Sequence, residues 1–128
     1  MTSKPPVKVF RRFVLAYMEA ALWSSGDDGK PLDANYDIGD IAPGTRLQMI
    51  RDCRDFCRDV LPLLRETIKR NNASWELHGH DFWLTRNCHG VGFWDRGYGS
   101  AGEALKDAAN IYGGRDLYVG DDGKVYQS

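Results

Sequence analysis

Histidine is scarce in this chain, yet all three copies, His78, His80 and His89, fall within twelve residues and close to Asp81 and Asp95. Imidazoles and carboxylates gathered in this way could ligate a metal ion or exchange protons with a substrate. On a strand, His78 and His80 would point the same way, and His89 or Asp95 could return from a paired strand. A small metal-dependent or His/Asp hydrolase using His80, Asp81, His89 and Asp95 is therefore one expectation. The spacing matches no zinc signature, and histidines at strand ends commonly cap or pack, so the sequence assigns no catalytic residue, metal or cofactor.

Cysteine offers less. Cys53 and Cys57 stand one helical turn apart on an apolar stripe, where a thiol behaves as a small hydrophobe. Cys88 is the more exposed candidate, but only His89 stands beside it, and neighbours in sequence point apart. The acidic run from Asp27 to Asp40 invites comparison with a calcium loop. Asp33, Asn35 and Asp37 occupy the first, third and fifth positions, but Ile38 stands where the glycine belongs and Gly44 where the bidentate glutamate belongs. The run reads instead as a negative surface, with Asp27, Asp28, Asp33 and Asp37 as candidate contacts.

Aromatic residues are the strongest binding signal. Phe82, Trp83, Phe93 and Trp94 fall on two segments, 80–86 and 91–95, whose alternation predicts an antiparallel hairpin closed by Asn87-Cys88-His89-Gly90. Two rings must project from each face of such a hairpin. If helices cover one face only, the other presents Trp83, Arg86, His89, Trp94 and Arg96, and tryptophan and arginine are enriched at binding hot spots.

Around this hairpin the periodicities predict the remaining elements. After Pro5-Pro6, the positions Phe10, Phe13, Val14, Tyr17, Met18, Ala21 and Leu22 mark a helix that stops near Ser24-Ser25-Gly26. Pro43 opens a second helix with Leu47, Ile50, Cys53, Cys57, Val60, Leu61, Leu64 and Ile68 on its buried stripe, and Pro62 should kink or split it. Ser100 and Glu103 read as a capping box ahead of a helix ended by Gly113-Gly114. In the tail, Asp122-Gly123 signals a turn between Leu117-Tyr118-Val119 and Lys124-Val125-Tyr126. The fold class expected is α+β, a small antiparallel sheet of three to four strands packed against three or four helices, in a single domain over 1–128 with a flexible lead at 1–6.

Composition bounds the rest. With 128 residues, 42% hydrophobic and 27% charged, the chain suits one globular domain. A formal charge of -1 gives no global pull on a phosphate backbone, and the only basic cluster is Lys4, Lys8, Arg11 and Arg12. A single-stranded nucleic-acid-binding module, with bases stacked on the aromatic strip, is thus a second alternative rather than the leading one. No run approaches the roughly 20 apolar residues that cross a bilayer. Three cysteines do not suit a disulfide framework and agree with a reducing compartment.

The segments His80-Asp81-Phe82-Trp83-Leu84-Thr85-Arg86-Asn87 and Cys88-His89-Gly90-Val91-Gly92-Phe93-Trp94-Asp95-Arg96-Gly97 resemble a family of small uncharacterised proteins encoded by bacteriophages and prophages. The tail Asp116-Leu117-Tyr118-Val119-Gly120-Asp121-Asp122-Gly123 and the Phe13 to Trp23 helix are similar too. Glycine is common in that family where this chain has Cys88. The resemblance implies an accessory protein acting in the cytoplasm of a bacterial host. Its expected partner is a host protein or a defence complex, such as a CRISPR effector or a restriction enzyme, which it binds and inhibits or modulates.

Overall fold

The computed structural model describes residues 5–27, 29–88 and 91–128, without the side chain of Asp27. Asp28 and His89 therefore lie outside the described residues, as does most of the expected loose lead. Among these described residues four α-helices dominate: α1 (Val7–Ser24), α2 (Pro43–Asn71), α3 (Trp75–Arg86) and α4 (Ser100–Asn110). Also among them, four strands of two or three residues form two separate antiparallel ribbons, β1 (Gly26–Asp27) with β2 (Lys30–Pro31), and β3 (Leu117–Val119) with β4 (Val125–Gln127).

The chain is thus mixed α and β, with helices carrying the architecture. The expected single sheet of three to four strands is replaced by these two ribbons, since the segment read as a hairpin at 80–96 is α3 followed by a 3-10 turn at Phe93–Asp95. The reason lies in burial. Asp81, Phe82, Trp83, Leu84, Thr85 and Arg86 are six consecutive buried residues, so the C-terminal half of this helix is enclosed on all faces and shows no polar stripe. Its start is conventionally capped: Ser74 Oγ accepts from the Leu77 amide at 3.0 Å, and Glu76 stands in the first turn.

The other helices follow their sequence signals. In α1, Phe13, Val14, Tyr17, Met18, Ala21 and Leu22 are buried. In α2, Pro43 sits in the first turn and Pro62 lies inside the helix, where backbone continuity is broken at Val60 (φ -118, ψ 18). A proline there deletes an amide donor and clashes with the preceding turn. The start of α4 differs by one residue from the capping-box reading: Gly99 is the cap, at φ 65, and Ser100 is already helical without a side-chain cap bond. The tail ribbon turns at the expected Asp122-Gly123, with Gly123 at φ 80 and Tyr118 opposite Tyr126. A parallel bridge from Ile41 to Val125, with the Ala42 amide on the Val125 carbonyl at 2.8 Å, ties this ribbon to the start of α2.

The core is built around the α1 and α3 pair, with α2 stacked on it. Phe56 of α2 lies flat against Phe82 of α3 at 4.1 Å between ring centroids and 8° between planes. Trp83 meets Tyr17 of α1 edge-on at 5.4 Å, and its indole N–H donates to Ser24 Oγ at 2.7 Å. At the crossing, Gly79 of α3 touches the α1 backbone: a Cβ there would collide with the Phe13 carbonyl oxygen and sit 2.8 Å from its carbon. Gly79→Ala is therefore expected to lose about 1–3 kcal/mol net, because overpacking outweighs the better helix propensity of alanine. Urea unfolding checks this; an unchanged midpoint would show that the helices can slide apart freely. Among the described residues, no helix is long and apolar enough to cross a membrane.

Candidate functional site

With α3 in place of a strand, the expected aromatic face is dismantled. Trp83 and Arg86 are buried, at 1% and 2% exposure, and cannot form a contact surface. Arg86 is instead a structural hub. Its guanidinium donates to the Gly113 carbonyl (2.8 Å), the Tyr112 carbonyl (2.8 Å), the Tyr17 hydroxyl (2.9 Å) and Asp52 Oδ2 (2.7 Å).

Arg96 reaches back to Asp81, with Nε on Oδ2 at 2.9 Å and Nη2 on Oδ1 at 2.8 Å. This fork pins the 93–99 segment to α3. Burial alone would raise the Asp81 pKa, but hydrogen bonds from His80 and Arg96 outweigh it and hold the carboxyl below the usual range. Asp95 Oδ1 accepts from the Gly92 amide at 3.0 Å, closing the 3-10 turn. Of the possible acid-base set, Asp81 and Asp95 are thus engaged locally, His80 lies 3.5 Å from Asp81, and His89 is outside the described residues. Among the described residues, no three His, Cys, Asp or Glu side chains gather as metal ligands do.

Trp94 stays half-exposed, at 39%. It borders a depression of about 300 Å³ with Thr85, Cys88, Glu103, Lys106 and Asn110. Lys106 pairs with Glu103 at 3.2 Å, so this surface is electrically balanced. Cys88 adopts φ 57, in the left-handed region where glycine is the unstrained residue.

A larger depression lies where the acidic run meets α1. The run is held by its own apolar and backbone anchors. Leu32 is buried, its amide bonds to the Ser25 carbonyl at 2.9 Å, and the Tyr36 amide bonds back to the Leu32 carbonyl at 2.9 Å. The Asp37 amide donates to Asp40 Oδ2 at 2.9 Å and the Asp40 amide to the Asp37 carbonyl at 3.0 Å, which fixes the next turn. These anchors leave Asp33 and Asp37 exposed, four residues apart. On α1, Glu19 and Trp23 are also four residues apart and so share the outer face.

The result is a groove of about 590 Å³ lined by Glu19, Leu22, Trp23, Asp33, Tyr36, Asp37, Ile38 and Gly39. Across the same Glu19 and Trp23 pair lies a second depression, of about 400 Å³, reaching Ser74, Glu76, Leu77 and His80. The Trp23 indole, 41% exposed, lies over the His80 ring at 5.5 Å between centroids. Four carboxylates, Glu19, Asp33, Asp37 and Glu76, line the two depressions, and among the described residues no lysine or arginine does. Such a surface attracts cations, and the aromatic faces of Trp23 and Tyr36 add a quadrupole of the same sign.

Sequence reasoning had found Asp33 and Asp37 here but missed Glu19, Trp23 and Tyr36. The available signal was a tryptophan lying off the apolar stripe of an amphipathic helix, directly before an acidic run. Compared with protein-family models, with curated proteins and with solved structures, the chain gives no match. Function must therefore be argued from the chemistry of this surface.

Proposed function

We propose that the chain is a non-catalytic binding protein, a phage- or prophage-borne accessory factor that engages and modulates a host protein complex in the bacterial cytoplasm. An anti-defence role, against a CRISPR effector or a restriction enzyme, is its most specific form. The observation that carries the reading is the half-exposed Trp23 set among Glu19, Asp33, Asp37 and Glu76, with no lining cation among the described residues. Proteins that handle nucleic acid present basic surfaces, and an acidic, aromatic groove can occupy such a surface in place of the phosphate backbone. The same charge repels nucleic acid, so a nucleic-acid-binding role finds no support at this groove. The motif at 80–97 enters this reading as scaffold, since its Trp83, Arg86 and Arg96 hold α3 in position.

The test is tagged capture from a bacterial lysate, with the wild type compared against Trp23→Ala, Asp33→Asn with Asp37→Asn, and Trp94→Ala. A defined complex should be retained by wild type and by Trp94→Ala and weakened by roughly 30-fold or more in Trp23→Ala, the scale of an aromatic hot spot. Its affinity should fall as salt rises. Equal capture by the groove variants, with loss in Trp94→Ala, would transfer the contact to the Trp94 depression and overturn the assignment.

A further inference from the structure

We infer that the groove takes an extended basic segment of the protein partner, with two cationic side chains straddling the Trp23 indole. This rests on the reading of the groove as a protein-binding surface and names its occupant. Two depressions, of about 590 and 400 Å³, share Glu19 and Trp23 as their common wall. Each side has its own carboxylates beyond that wall: Asp33 and Asp37 on one, Glu76 on the other. A single cation would answer one side and leave the other unmatched.

An extended chain places residues i and i+2 on the same side, about 7 Å apart, so two such side chains can enter neighbouring hollows from one backbone. Arginine suits each hollow. Its aliphatic stem lies along apolar surface while its planar head stacks on an aromatic face and meets carboxylates. A helical occupant would bring its neighbours together at three- and four-residue steps instead.

Isothermal titration of the full chain with three blocked nine-residue peptides in a glycine-serine background tests this. One carries two arginines at positions i and i+2, one carries them adjacent, and one carries a single arginine. The i, i+2 peptide should bind at least tenfold tighter than either of the others, and Trp23→Ala should abolish the difference. Equal affinities for all three would overturn the inference. So would sedimentation showing that the groove is closed by a second copy of this chain. The two readings fail separately: lysate capture that depends on Trp23 alongside indistinguishable peptides sinks only the two-cation occupant. Peptide discrimination alongside Trp23-independent capture sinks only the proposed function.

Discussion

Arg86→Met is expected to unfold the protein more readily than any other single change at the α3 end, by about 3–5 kcal/mol. The side chain is 1% exposed and holds four partners drawn from three parts of the chain: α1, α2 and the turn after α4. Replacing a buried ion pair by an apolar residue of similar volume can be neutral when both charges go together. Here only one goes. Asp52 keeps partial access to solvent, at 29% side-chain exposure, but the Tyr17 hydroxyl and the Tyr112 and Gly113 carbonyls lose their donor. Those carbonyls are the orphan acceptors just past the end of α4, where a cation is also favoured by the helix dipole.

Lysine cannot rescue the site, because a point ammonium does not span four acceptors set around a planar fork. Arg86→Lys should therefore recover less than half of the loss. Urea unfolding followed by far-ultraviolet circular dichroism measures both. For a domain of this size the methionine variant should melt about 10–20 °C lower. A methionine variant within 0.5 kcal/mol of wild type would show that the guanidinium is a bystander in a core held by its rings.

The same residue shows why the sequence was readable in places and misleading in others. Helices α1 and α2 each bury one face and expose the other, so their stripes announce them, and Pro62 marks the break that the backbone makes at Val60. Asp122-Gly123 likewise marks the turn of the tail ribbon. Helix α3 buries every residue from Asp81 to Arg86, and an enclosed helix carries no period to detect. Its alternation of His80, Phe82, Leu84 and Arg86 imitated a strand, and the Ser74 cap with Glu76 was the signal that should have outweighed it. An arginine at a helix end is ordinarily solvated, so the burial of Arg86 could not be seen without its partners in space. The groove was half legible for a parallel reason. Asp33 and Asp37 belong to a visible acidic run, whereas Glu19 and Trp23 become neighbours of that run only when Leu32 folds it back against α1.

Burial also gives this protein an acid sensitivity that can be assigned to one residue. His78 is fully buried on α3, and its Nε2 lies 2.7 Å from Thr67 Oγ1. That hydroxyl donates its own proton to the Leu64 carbonyl at 3.0 Å, so it must accept from the imidazole, which fixes the neutral tautomer with hydrogen on Nε2. Nδ1 is left without a hydrogen-bond partner among the described residues. Desolvation pushes the His78 pKa down from 6.5 to about 4, partly opposed by the charge of Asp81. Above pH 6.5 neither folded nor unfolded chain protonates this residue, and its contribution to stability is complete. As pH falls from 6.5 towards 4 the unfolded chain takes up a proton that the folded chain refuses, and about 3 kcal/mol is lost across the window. The acid loss expected from Asp81, whose pKa is lowered in the fold, begins near and below its ordinary value of 3.8, beyond that window. Urea midpoints at pH 7, 5.5 and 4 should therefore fall more steeply for wild type than for His78→Gln. That variant keeps a donor for Thr67 but has nothing to titrate. Parallel curves for the two proteins would mean that His78 takes up its proton equally well in the fold, so that the missing Nδ1 partner is supplied by water.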